Sequence, residues 1–541
     1  MTKKSSSFAS KPPLLHLAFL IVVLLVLITL RDQLSPWTVG LRGVRVAVGG
    51  STEQTAAAIP NDRLLGGLLS SDFDEESCLS RYQIALYRKA SSHILSPYLL
   101  SKLRKYEALH KKCAPNTPLF QKSIEQIKLN YSTDQLECNY VVSSPYDGIG
   151  NRMLALTATF LYALLTDRVM LMHQLDDMVD LLCEPFPGTT WYLPSDFPIQ
   201  GLEWHNKHSQ NSYGYLVEKN LINIDPKASP SSLPSSIYVH LMNDMQDDHL
   251  HVRFFCDDDQ LVINKINWVL LRTNQYIIPG LFIIPKYAEE LERMFPSKET
   301  VFHHLGRYLL HPSNTVWGMI MRYHNSYLTK SKERIGIQVR NFSYWAPISA
   351  KKAYEQVVRC TQQQLILPGV NLNQSQTSPS TSTEATAKTV LLVSLSREVY
   401  ERLYNLYFEH PTTTGQMISV YQPSHEEKQK FQNKFHNYKA MVEIWLLSFS
   451  DVLVTTAIST FGYVSYSLAG IKPWYLQTAI MDQNITNPSC RRALSIEPCY
   501  HTPPHFNCKT GGNVDPRSIV HHVRQCDDDY YHEPAIKLYD D

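Results

Sequence analysis

NYVVSSPYDGIGNRMLALTATFLYALLTDRVMLM, residues 139–172, decides the fold class. NYVVS (139–143) is a continuous apolar run short enough for a strand, GIGNR (148–152) is a glycine turn, and an apolar-faced helix follows from about Met153 to Leu165. VMLM (169–172) is the second strand. Two strands joined by a helix form one βαβ unit, which is parallel because the crossover carries the chain back to the same end of the sheet.

The pattern returns in the second half as RIGIQV (334–339), VLLVSL (390–395), a helix over about 398–408, MISVY (417–421), a helix over about 438–448, VLVTT (452–456) and a last helix opening near Thr460. Apolar strands alternating with helices predict a sheet covered on both faces. The expected fold is α/β, with two Rossmann-like units facing across a cleft. Two stretches lack periodicity: residues 31–75, read as a flexible stem, and NLNQSQTSPSTSTEATAK (371–388), read as an inserted surface loop.

Ahead of the stem, PPLLHLAFLIVVLLVLITL (12–30) spans roughly 28 Å as a helix, enough to cross a bilayer. Arg31 and Asp32 come directly after it, without a small-residue cleavage site, so the segment reads as a retained signal anchor. Lys3, Lys4 and Lys11 place residues 1–11 in the cytosol and the rest in the lumen. Ten cysteines without a CxxC pair suit an oxidising compartment and argue against a zinc site, although their spacing does not give the pairing. Sequons stand at Asn130, Asn341, Asn373 and Asn484. A net charge of +1 gives no reason to expect a nucleic-acid partner.

Ligands of doubly wound sheets bind beyond the carboxyl ends of the strands. After VLVTT, Ser459 and Thr460 can open a helix whose N–H groups attract an anion, with Gly462 allowing close approach; a plain helix cap is the competing reading. Arg340 ends RIGIQV, where its fork suits a diphosphate, or an ordinary salt bridge. Gly148 and Gly150 bracket a turn that leaves Asn151 and Arg152 in a helix's first turn, again open to a structural reading. The acid triplets 257–259 and 527–529 read as solvated surface rather than a metal loop.

The blocks YDGIGNRMLALTATFLYALLTDRVML, CEPFPGTTW, ETVFHHLGRYLLHPSNTVWG, ERIGIQVRNF, NYKAMVEIWLLSFSDVLVTTAISTFGYVSYSLAGIKPW and CRRALSIEPCYHTPP together resemble the plant xyloglucan fucosyltransferase family over residues 75–541. The resemblance implies a GT-B type fold, GDP-fucose as donor, a polysaccharide or glycoprotein acceptor, inversion at the sugar carbon, and no metal cofactor. It further implies a Golgi type II membrane protein with an acceptor-side domain over 76–330, a donor domain over 331–489 and a Cys-rich segment over 490–541 that packs back on the catalytic part; the oligomeric state stays open, a homodimer included. Arg340 would bind the diphosphate, and Ser459, Thr460, Phe461 and Gly462 would supply the phosphate-facing turn. Gly148, Gly150, Asn151 and Arg152 would close over the donor, and Glu443 would read guanine, whose N1–H and exocyclic amine are adjacent donors. Asp147, His303 and His304 are the candidates for accepting the acceptor's proton. Two departures stand out: Asn274 in RTNQY where an acid is expected, and a sequon at Asn341 inside the donor motif, expected to be unoccupied while Asn130, Asn373 and Asn484 carry glycans. A catalytically silent glycan-binding relative and a transferase using another nucleotide sugar are the alternative readings.

Overall fold

The computed structural model describes residues 62–88, 90–244, 249–340, 348–372, 388–476, 487–529 and 534–541. The expected membrane anchor (12–30), most of the stem, and the sequons at Asn341, Asn373 and Asn484 lie outside the described residues. The stem ends earlier than expected: Leu68 and Leu69 are already buried in the core. Asn130 is exposed, in a left-handed conformation at a helix C-terminus.

Four parallel strands form the first sheet: β1 (Tyr140–Pro145), β2 (Val169–Met172), β3 (Ser236–Leu241) and β4 (Trp268–Thr273), in the order β2-β1-β4-β3. Helix α1 (Ile149–Thr166) joins β1 to β2 and starts four residues before the sequence periodicity does. Among the described residues it is the one helix long and apolar enough to cross a membrane, but it is buried within the protein and serves as the core helix of this sheet.

The second sheet, ordered β10-β9-β8-β5-β6-β7, contains β5 (Glu333–Val339), β6 (Lys388–Ser394), β7 (Ile418–Tyr421), β8 (Val452–Thr456), β9 (Trp474–Leu476) and β10 (Cys490–Arg492). All pairs are parallel except the edge pair β9–β10. Helix α2 (Val301–Leu309) precedes β5; α3 (Ala350–Gln363), α4 (Arg397–Glu409), α5 (Lys434–Leu447) and α6 (Thr460–Ala469) connect the strands. One hydrophobic cluster includes Leu154 of α1, Leu391 of β6, Trp445 of α5 and Val464 of α6, so the two sheets share a core rather than merely meeting at a cleft.

All ten cysteines pair: Cys78–Cys183, Cys113–Cys138, Cys256–Cys508, Cys360–Cys490 and Cys499–Cys526. Three of these bonds hold residues after 489, and Cys256–Cys508 fastens that segment to the first sheet's half of the molecule. The acid triplets are solvated only in part: Asp258 is exposed, as expected, but other members are buried. Asp259 is buried against the Tyr213 hydroxyl and Arg253. Asp528 and Asp529 are buried, and Asp527 pairs with the fully buried Lys537 at 2.9 Å. A buried carboxylate has to be paired or hydrogen-bonded to be tolerated, and these are.

Candidate active site

Beyond the end of β5, the Arg340 backbone N–H donates to Thr456 Oγ1 at 2.9 Å, which locks the ends of β5 and β8 together. The half-buried guanidinium donates to Gln429 Oε1 at 2.7 Å. Burial lowers its pKa from the ordinary value, and it stays charged because arginine keeps its proton in proteins. β8 then passes through Ile458, whose φ of +55° is a strained conformation for a β-branched residue, into α6. A buried carboxylate holds that strain in place: Asp528 Oδ2 accepts from the Ile458 N–H at 3.0 Å and from the Tyr463 hydroxyl at 2.6 Å. Ser459 occupies the N-cap position without a side-chain capping bond, against the competing reading of a plain cap, so its hydroxyl does not consume the helix's free N–H groups.

The first sheet presents the facing wall. β1 runs into Asp147, at φ +67°, and then Gly148, the N-cap of α1. Gly150 is needed for close approach: a Cβ there would stand 2.9 Å from the backbone N of Phe461 and the carbonyl carbon of Thr460. The N-termini of α1 and α6 therefore meet. The Thr460 hydroxyl donates to Asn151 Oδ1 at 2.8 Å, and Asn151 Nδ2 donates to the Asn274 carbonyl at 2.9 Å. The Asn274 amide donates to Asp147 Oδ2 and, at 3.1 Å, to Asn243 Oδ1. The departure at Asn274 thus places an amide donor against Asp147, where an acid would set two carboxylates face to face.

These elements enclose a cavity of about 680 Å³, within the usual range for a small-molecule site. Arg340, Ser459, Thr460 and Phe461 line one side, and Asp147, Gly148, Gly150 and Asn151 the other. Arg152 lines it too, but its guanidinium is committed to the buried Asp177 at 2.8 Å, and Asn437 Nδ2 holds that carboxylate's other oxygen at 3.0 Å. Arg152 is a strut between α1 and α5 rather than an open ligand. Gly462, expected in the phosphate-facing turn, is not among the residues that line the cavity: a Cβ there would meet Thr455 at 3.1 Å and Gln338 Oε1 at 3.2 Å, so its small size lets α6 pack on the sheet.

Glu443 on α5 borders the cavity and is buried; burial pushes its pKa up to about 7, against the lowering effect of the Ser424 N–H at 3.2 Å. The segment after β7 supplies residues that the sequence alone did not single out: Gln429, Lys430 and Lys439. Glu426 binds Lys439 at 2.5 Å and Lys430 at 3.0 Å, and those bonds take its pKa down to about 2. The strand-end rule applied to β7 would have found this segment. His501, whose Nδ1 lies 2.5 Å from the buried Asp529, and Thr502, whose N–H donates to Gln275 Oε1 at 3.2 Å, bring the C-terminal segment to the same cavity. Both lie in the block CRRALSIEPCYHTPP, whose segment was expected to pack back, but neither stood out as a site residue.

His303 and His304 do not reach the cavity. His303 lies between Ser91 Oγ and the Ser467 carbonyl, at 2.8 Å from each, and burial pulls the pKa of His304 down to about 3. Both are core histidines of α2.

The Arg340 guanidinium and the start of α6 converge on one cavity beside the buried Glu443, beyond the carboxyl ends of the strands, where sheets of this kind take their ligands. The chain belongs to the xyloglucan fucosyltransferase family, whose model matches residues 41–509. It is 45% identical over 480 residues to a galactoside 2-alpha-L-fucosyltransferase of Pisum sativum, covering 88% of this chain and 83% of that one. It is likewise 45% identical to a galactoside 2-alpha-L-fucosyltransferase of Arabidopsis thaliana over 471 residues, covering 87% and 82%. Its fold matches the solved structure of an Arabidopsis thaliana FUT1 mutant in complex with GDP, at 44% identity and a TM-score of 0.79, over 88% of this chain and all of that one.

Proposed function

We propose that this protein is an inverting, metal-independent fucosyltransferase of GT-B type. It would move L-fucose from GDP-fucose to a cell-wall glycan, with xyloglucan galactose in α-1,2 linkage as the leading acceptor and arabinogalactan-protein glycan as the other. The observation that carries the reading is the convergence of Arg340 and the α6 N-terminus on one cavity, opposite Asp147. The family's name and the relatives' names supply the sugar and the acceptor class.

In this reading the guanidinium and the α6 N–H groups neutralise the departing diphosphate, a task that other transferases give to a divalent ion. The acceptor hydroxyl oxygen attacks the fucose anomeric carbon as that carbon's bond to the diphosphate oxygen breaks. The hydroxyl proton passes to Asp147, which Asn274 orients, and GDP leaves with its electron pair. A carboxylate at 147 favours this reading over a catalytically silent relative despite Asn274. Glu443, ionised, would accept from the guanine N1–H and amine. A single N-terminal anchor would hold the catalytic part in the Golgi lumen, and the five disulfides are compatible with that oxidising address.

The test is acceptor-dependent GDP release from GDP-fucose by the lumenal part, with EDTA present and galactose-terminated xyloglucan or arabinogalactan as acceptor. Release should survive EDTA, and Arg340→Ala should lower kcat by about 10²–10³. Loss of activity in EDTA, restored by a divalent cation, would refute metal independence; a preference for UDP over GDP in direct binding would refute the donor.

A further inference from the structure

Beyond the cavity, the carboxyl edge of the first sheet carries an aromatic ridge. Tyr146, the residue before Asp147, follows β1 and is 46% exposed. Arg272, at the end of β4 in register with Ser144, sets its guanidinium carbon 4.5 Å from the centre of that ring. The guanidinium is buried, and one of its nitrogens donates to three carbonyls of a single turn: Glu203 at 2.6 Å, His205 at 3.1 Å and Leu202 at 3.2 Å. Leu202 anchors the turn in the core, and the Tyr238 hydroxyl donates to the His205 carbonyl at 3.2 Å. At the tip of this fixed turn Trp204 is 79% exposed.

A backbone held this tightly around a side chain left this open has a use for the indole in solvent. Exposed aromatic rings on a rigid frame give a large amphipathic contact surface at little entropic cost. One arginine bridges Tyr146 and the Trp204 turn, so the ridge is continuous with the loop that carries Asp147. Arg272 spends its charge on carbonyls and a ring and offers no open cation, while the exposed Glu203 carboxylate repels anions and can accept from hydroxyls. These features fit an uncharged, hydroxyl-rich ligand that presents flat apolar faces.

We infer that Trp204 and Tyr146 form a stacking platform for the outer sugar units of a neutral oligosaccharide acceptor, beyond the unit that receives the fucose. The inference rests on the transferase reading and adds to it a source of selectivity for extended acceptors over single sugars.

The test compares wild type with Trp204→Ala and Trp204→Phe, using a galactose-terminated xyloglucan oligosaccharide and methyl β-galactoside as acceptors. The ratio of kcat/KM for the oligosaccharide to that for the monosaccharide should fall about tenfold in Trp204→Ala, carried by KM, and recover largely in Trp204→Phe. Titration calorimetry of oligosaccharide into GDP-loaded protein should show the same loss of affinity without requiring turnover. An unchanged ratio and unchanged oligosaccharide affinity would overturn the platform while leaving the transferase reading intact, and so would loss of self-association in Trp204→Ala with unaltered acceptor kinetics. If wild type transfers nothing, the reading of the function fails and the calorimetry still decides the platform.

Discussion

Glu443→Gln should make the empty protein more stable and the donor site worse. Burial raises the carboxyl from 4.5 to about 7. The sign comes from proton binding. Between those two values the folded state holds the proton that the unfolded chain has released, so stability falls as pH rises from about 4.5 to 7. At about 1.4 kcal/mol for each tenfold, the folded protein at pH 8 carries a cost of about 3 kcal/mol, reduced to the extent that cleft water reaches the carboxylate. Glutamine keeps an acceptor oxygen for the Ser424 N–H and never ionises, so it removes the cost. Without nucleotide, the variant should therefore melt above wild type at pH 8, with the gap narrowing towards pH 5. GDP binds the ionised form in the proposed reading, so its affinity for wild type should weaken as pH drops below 7. In the variant the affinity should be low and nearly independent of pH, and the preference for GDP over UDP should shrink. Thermal melting and calorimetric titration at pH 5.5 and 8 measure both effects. A variant less stable than wild type at pH 8 with undiminished GDP affinity would refute the reasoning.

Gly150→Ala should destabilise the protein by about 1–3 kcal/mol and weaken GDP binding, because its Cβ meets backbone of α6 at 2.9 Å. Gly148→Ala is the control: its Cβ meets only the end of the Gln429 side chain, at 3.1 Å, so its melting temperature should stay closer to wild type. Asp528→Ala strands the Ile458 N–H and should cost about 1–3 kcal/mol, with a higher KM for the nucleotide sugar as the 458–460 turn relaxes; an unaltered KM would show that Asp528 does not position that turn.

Strands β5 to β8 and helix α4 were legible because each is a continuous apolar run or a clear periodic face. β3 and β4 were not, because the chain ahead of each replaces a long crossover helix with short helices, such as Leu202–Trp204 and Tyr213–Glu218 before β3 and Asp257–Ile263 before β4, erasing the βαβ rhythm. Arg340 and the 459–461 turn, expected from their places just past strand ends, and Asn151 and Glu443, expected from the family resemblance, all line the one cavity. Gly462 and Arg152 sit in the right motifs but serve packing and an internal ion pair, a distinction made only by their neighbours. His501 reaches the cavity through the disulfide-bonded C-terminal segment and Asp529, and sequence distance hides such contacts. The triplet 527–529 misled for the opposite reason: three adjacent acids resemble a solvated run unless Lys537, Tyr463 and the Ile458 N–H are known to be waiting for them.

Both sheets are complete once the ribosome has passed Arg492, yet the strained turn at Ile458 still lacks the carboxylate of Asp528, and one wall of the cavity still lacks His501 and Thr502. That end of the cavity is therefore assembled last, from chain synthesised after the scaffold that displays it. A nonsense codon anywhere between 493 and 499 would yield a product with nearly all of its sheet structure and an incomplete cavity, while Cys256, without Cys508, would carry a free thiol that marks the product as unfinished.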